Sequence, residues 1–276
     1  MLFRSHFLTG IFGYLTSPLW LMQLLVGIVI GLISPAGALV TRMLAAPGRI
    51  PELNGRLSRV RSGAYLAGVV VGGALYVLVG ATPVFAINVV SYALPVSVVA
   101  TAMRRVPVPE AGGRLRDLLV LGRSEPGLRA VFLGAFVSAI AGCFTVGLPA
   151  MARSVGASAM ILTVLKAVYP AGGLFVATAV RKLHGRVGWG RVQRTCLLTA
   201  AVVLALLALT TSGVGGAGTT LAVMSVLVAT IGCAVYLDNA VLASLVQIAA
   251  PAETRGAVLT GYHLMPMLAI PLGQQV

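Results

Sequence analysis

Ser62 to Met103 reads SGAYLAGVVVGGALYVLVGATPVFAINVVSYALPVSVVATAM, without one charged side chain, and arginines stand at both ends, Arg61 and Arg104. A bilayer's hydrocarbon core is about 30 Å thick and takes about 20 apolar residues per helix. The stretch is therefore long enough to cross twice. It breaks near its midpoint at a turn-forming cluster, Gly80-Ala81-Thr82-Pro83, and is expected to form a transmembrane hairpin. A second charge-free stretch, Thr195 to Leu237, has the same layout, with a glycine-rich break between Thr210 and Thr220.

Composition supports the same reading. The chain has 58% hydrophobic and only 9% charged residues, where a soluble domain carries about 25% charged. Its net charge of +14 would suggest nucleic acid if it covered a soluble surface, but the charges are not spread that way. They gather at Arg42 to Arg61, at Arg104 to Arg129, at Arg181 to Arg194 and at Arg255, and the connectors between these blocks are nearly bare, Arg153 excepted. Basic connectors alternating with neutral ones follow the positive-inside rule. The blocks are then cytoplasmic and the turns near Gly80, Gly156 and Gly215 lie outside. Attraction to anionic headgroups accounts for the basic loops, so no nucleic-acid partner is expected; the lipid bilayer is.

The pattern predicts an all-α protein, a polytopic transmembrane bundle with about eight spanning helices near 18–41, 62–80, 83–103, 129–151, 157–180, 195–212, 220–248 and 256–276. Residues 104–128 form the longest polar stretch and divide residues 1–103 from residues 129–276. The apolar run Phe7 to Leu15 is too short to span, and the last helix reaches Val276 with no polar tail. Both bundles are therefore expected to be incomplete, with a partner chain as one source of the missing helices. Cys143, Cys196 and Cys233 are scattered through apolar spans and suggest neither disulfides nor a metal site.

With the spans placed, an ordered set of local patterns resembles the major facilitator superfamily, in particular its multidrug and siderophore exporters. Ser34-Pro35-Ala36 through Pro51-Glu52-Leu53-Asn54 is similar to the end of that family's fourth helix and the following loop. Ser62, Gly68, Gly72-Gly73, Gly80 and Phe85 to Tyr92 resemble its fifth and sixth helices. Glu125 to Ala130 resembles the start of the seventh helix. Gln247, Pro251, Glu253, Arg255-Gly256 and Pro271-Leu272-Gly273 resemble the tenth and eleventh. The loop Arg181-Lys182-Leu183-His184-Gly185-Arg186 is similar to the superfamily's basic loop motif without its acidic member, and Gly68 is followed by Val69 where the family usually has proline. The resemblance implies alternating access around a midplane site. On its register the first two to three helices and the last are lacking.

Ionisable residues inside spans are functional candidates by default. Lys166 lies about 12 Å and Asp238 about 27 Å from the outer ends of their helices, at 1.5 Å per residue, so no direct pair is expected. Snorkelling toward the outer interface is the simpler role for Lys166, and the sharper one is a cavity cation meeting an anionic substrate or coupling acid. For Asp238 the simpler role is an interfacial carboxylate answering Arg181 to Arg194, and the sharper one is proton coupling. Asn88, Asn239 and Gln247 are amides within spans that suit interhelical hydrogen bonds. Phe136 and Tyr169, with Phe132, Phe144, Phe175, Tyr236 and Tyr262, are candidates to line an apolar cavity. Gly68, Gly72 and Gly73 suit close helix packing, and Arg181 and Arg186 mark the loop motif. No nucleophile–base set, metal spacing or P-loop occurs, so neither an enzyme nor a cofactor is expected. The expected function is secondary active transport across the plasma membrane, exporting a small amphipathic substrate, with a proton as the candidate coupling ion. The alternative is a truncated, non-transporting membrane protein.

Overall fold

A computed structural model of the chain describes residues 37–38, 40–42, 45–46, 48–80, 82–84, 86–87, 90–91, 97, 101, 125–142, 144–183, 185–211, 217–251 and 253–273. Among them the protein is all-helical, with no strand. The principal helices are α1 (Ile50–Val79), α2 (Pro126–Gly142), α3 (Phe144–Ser154) and α4 (Ala159–Ala171). A short 3-10 turn (Gly172–Phe175) then leads to α5 (Val176–Leu183), α6 (Trp189–Thr211), α7 (Ala217–Ala249) and α8 (Arg255–Gly273). Four continuous stretches are long and apolar enough to cross a membrane: Ile50–Val79, Met160–Leu183, Trp189–Thr210 and Gly218–Ala249.

The outer faces carry the argument for lipid. On α6, Val192, Cys196, Ala200, Val203 and Leu207 are buried at helical spacing, and the opposite face exposes Leu198, Val202, Leu206 and Leu209. A water-soluble helix would be polar on that second face. On α1 the exposed residues include Tyr65, Val70, Val71, Tyr76, Val77, Leu78 and Val79. Lipid accepts such a surface.

Helix α1 differs from its expected limits of 62–80. It begins at Ile50, with Pro51 in its first turn, where proline's missing N–H and fixed φ suit a helix start. The arginines at 56, 59 and 61 are inside the helix. Thirty residues make a rod of about 45 Å, longer than a bilayer core, so its basic foot extends beyond the apolar zone. Charge marked the edge of the membrane, not the end of the helix. Glu52 in that foot accepts hydrogen bonds from Arg49 (2.7 Å) and Arg56 (2.6 Å). The helix stops at Gly80, whose φ of 81° is a conformation glycine adopts without a Cβ clash. Gly156, at φ 73°, makes the turn between α3 and α4, as expected there. The expected turn at Gly215, and most of the expected helices 18–41 and 83–103, lie outside the described residues.

The expected 129–151 span holds α2 and α3, with residue 143 between them outside the described residues; the expected 157–180 span is composite. The 157–180 span runs through α4, the 3-10 turn and α5 to Leu183, and the change of pitch follows Pro170, which has no N–H to donate back along the helix.

Helix α7 is the axis of the bundle, packing against α1, α2, α4, α5, α6 and α8. Its first half meets Ala141, Leu148, Ala152, Leu165, Ala200, Val203 and Leu207 through Met224, Val228, Ile231 and Val235. Its second half meets Leu128, Val131 and Ala135 of α2 and Val258, Leu259 and Tyr262 of α8 through Leu242 and Val246. Between lipid-solvated helices burial from water gives little drive, so close packing of small residues matters most. The closest packing falls where the 3-10 turn crosses α7. A Cβ on Gly172 would lie 2.7 Å from the Gly232 carbonyl carbon and 2.9 Å from Cys233 Cα. One on Gly232 would meet the Tyr169 carbonyl, and one on Gly173 would lie 2.9 Å from both Ser62 Cβ of α1 and Tyr236 Cδ1. Gly55 of α1 stands 3.1 Å, by the same measure, from Ala177 Cα. These glycines bring three helices together. Gly68, Gly72 and Gly73 do not: among the described residues nothing lies within 4 Å of a Cβ at the first two, and Gly73 would touch only Thr163 Cγ2, at 3.8 Å.

Candidate functional site

Of the buried polar side chains, Asp238, Ser244 and Gln247 lie along the second half of α7, with Thr220 near its start, Asn54 and Ser62 on α1 and Ser138 on α2. At 1.5 Å per residue, Asp238 and Gln247 are separated by about 14 Å along the axis.

Gln247 and Ser244 form a closed group with Asn54 of α1. The Asn54 side-chain amide donates to Ser244 Oγ at 3.0 Å and to Gln247 Oε1 at 3.2 Å. The Ser244 hydroxyl donates in turn to the Ala240 carbonyl at 2.7 Å. Arg59 adds a second tie from α1, with Nε donating to the Leu174 carbonyl at 3.0 Å and a terminal nitrogen to Thr178 Oγ1 at 2.9 Å. Asn54 was expected in a loop and Gln247 in a span; their pairing depends on α1 starting early enough to carry Asn54 against α7.

Asp238 has no such partners. It is 1% exposed, and among the described residues neither carboxylate oxygen has a hydrogen-bond partner. Ser138 on α2 is close enough to act on it, without a hydrogen bond being closed. Cys196 on α6 and Tyr262 on α8 are within its electrostatic reach. One buried acid on α7 therefore has groups of α2, α6 and α8 in its vicinity. The expectation of an interfacial carboxylate answering the basic loop is corrected here: among the described residues the ion pairs are those of Glu52 with Arg49 and Arg56, and Arg181, Arg186, Arg191 and Arg194 are exposed. Neighbouring helices seclude Asp238, and residue counting along its own helix could not show that.

The other candidates separate. Lys166 is exposed on α4 and Asn239 is exposed on α7, whereas Asp238 beside it is buried. Asn88 lies outside the described residues. Tyr169 stacks at 5.5 Å between Phe144 and Tyr236, an aromatic row against the glycine crossing. Phe136 is half-buried on α2, and Phe175 is exposed. Below the level of Asp238, a cavity of about 40 Å³ opens between α1, α7 and α8, with Thr41, Asn54, Arg61, Gln247, Tyr262 and His263 in its wall. No group of three or more His, Cys, Asp or Glu suited to a metal occurs among the described residues. Ser138, Ser244 and the glycines at 172, 173 and 232 were not singled out by sequence reading, since serines and glycines are common in apolar helices and only the packing distinguishes these.

No family model, curated protein or solved structure matches the chain.

Proposed function

We propose that the chain acts as a secondary active transporter of the major facilitator type, spanning the plasma membrane with about eight helices and exporting small amphipathic compounds by alternating access. Asp238 is the coupling residue. The observation that carries this reading is a single buried carboxyl on α7, with groups of α2, α6 and α8 in its vicinity and, among the described residues, no hydrogen bond or ion pair to hold it. A bare charge in that setting is destabilising by several kcal/mol, so a fold that keeps an acid there gains something other than stability from it. Taking up and releasing a proton as the surrounding helices rearrange is such a gain, and ionisable groups within spans typically mark ion pathways.

Two further features support the reading. The 3-10 turn and the glycine crossing let α1, α4–α5 and α7 slide with few side chains interlocked. The Asn54–Ser244–Gln247 bonds close the bundle at its basic end by contacts weak enough to open, since interhelical hydrogen bonds average about 0.6 kcal/mol.

The test is dye accumulation in cells lacking their major exporters, with the chain expressed and its presence in the membrane verified. Expression should lower accumulation, and Asp238→Asn should restore it to the level of empty cells. Unchanged accumulation with the parent chain in place would refute transport by this polypeptide. Export that persists in Asp238→Asn would remove Asp238 from the mechanism.

A further inference from the structure

Where α7 ends and α8 begins, donor atoms are buried without an acceptor among the described residues: Arg42 Nη1, Arg255 Nε and the Thr254 hydroxyl have no partner there. The one hydrogen bond of the Arg255 side chain, from Nη2 to the Ala250 carbonyl, is long at 3.4 Å. The two guanidiniums are close enough to repel each other. Their surroundings show the same proximity: Thr41 and Leu259 wall one cavity, and Ala38 packs on the cluster that contains Val258 and Leu259. The ion pairs formed among the described residues lie elsewhere, at Glu52. The adjoining cavity adds Arg61 and His263, whose Nε2 is also buried and unpartnered, and no acid lines it.

An arginine cannot relieve such a position by losing its proton. Two neighbouring, half-exposed arginines that each bury an unpartnered nitrogen are better satisfied with an anion between them than without one. The guanidinium fork matches phosphate in particular, with two parallel N–H···O bonds per arginine, and the Thr254 hydroxyl supplies a further donor.

We infer that Arg42, Arg255 and Thr254 form a binding site for a phosphate group, carried by an anionic phospholipid or free in solution. On the charge bias of the connectors this end faces the cytoplasm, where the leaflet is anionic. The site would hold the segment 37–42 to the start of α8. It does not depend on whether the chain transports anything.

The purified full chain in detergent is titrated with phosphatidylglycerol, with phosphatidylcholine and with inorganic phosphate, and lipid retention is read by native mass spectrometry. Phosphatidylglycerol should bind about tenfold more tightly than phosphatidylcholine. Arg42→Gln and Arg255→Gln should each remove about tenfold of that affinity, while Arg194→Gln, an exposed arginine on α6, should leave it unchanged. A second measurement needs no variant: phosphate or phosphatidylglycerol should protect Arg42 and Arg255 of the parent chain from phenylglyoxal. Protection by phosphate alone assigns the site to the free anion and protection by the lipid alone to the headgroup; either upholds it. Equal retention by parent and variants, or no protection by either probe, overturns it. So does weak binding by the parent chain that rises in Glu110→Gln or Asp117→Asn, which would make a carboxylate of the chain itself the occupant.

Discussion

The two halves of α7 run through one bundle and are built differently. From Met224 to Val235 the buried positions are apolar and meet apolar residues of α2, α3, α4 and α6. From Tyr236 to Ala249 the same helix buries Asp238, Ser244 and Gln247. Both stretches expose aliphatic residues, Val226 in one and Ile248 in the other, and the second adds the exposed Asn239. The larger difference is internal. The stretch from Met224 to Val235 packs by shape, with the buried Thr220 lying nearer the start of the helix. The other carries polar groups, of which the amide–hydroxyl set with Asn54 is satisfied and the acid is not, and that contrast separates a structural role from a functional one.

The largest effect should come from the crossing that joins the halves. A leucine at Gly172 would meet the backbone of Gly232 and Cys233, which cannot turn aside as a side chain would. We expect a loss of more than about 3 kcal/mol, read as failure to recover a monodisperse protein in detergent. Gly68→Leu should be recovered normally. If the two variants behave alike, the crossing is not what holds α4–α5 to α7. Next, Met224→Ala, in the apolar half, removes a side chain that is 0% exposed and should cost about 2–4 kcal/mol, measured as a lower unfolding midpoint. Asp238→Asn should cost less than about 1 kcal/mol, because it removes an unpaired charge and breaks no hydrogen bond, while abolishing export. A large stability loss at Asp238 with export intact would reverse the roles assigned to the two halves.

How far these features could be read from sequence follows from which forces leave a local mark. The charge-free stretches and the basic blocks show where lipid is met, because desolvating an arginine is prohibitive. Helix ends inside the basic blocks leave no such mark: Arg56, Arg59 and Arg61 are good helix formers and are equally at home in a loop or in the foot of α1. Glycine pairs are also ambiguous. Gly68-x3-Gly72-Gly73 has the spacing of a packing motif, but the glycines in close contact are 55, 134, 172, 173 and 232, because a neighbour happens to cross there. Asp238 was legible as an acid in an apolar run. Its seclusion was not, since that comes from residues such as Ser138, Cys196 and Tyr262, distant in the chain.

The smallest effect is the one that tests the satisfied group. Asn54→Ala and Gln247→Ala each break the 3.2 Å bond between them, and each leaves other contacts disturbed, so neither single loss measures the interaction. The double-mutant cycle does, and a coupling of about 0.6 kcal/mol is expected. A coupling near zero would mean that the amides find equal partners elsewhere and that α1 is held to α7 by the glycine contacts alone. A coupling well above about 1.7 kcal/mol, the upper end for such bonds, would make the group a lock too strong to open in a transport cycle. The closure at the basic end would then be permanent, and the two halves of α7 would differ in polarity but not in mobility.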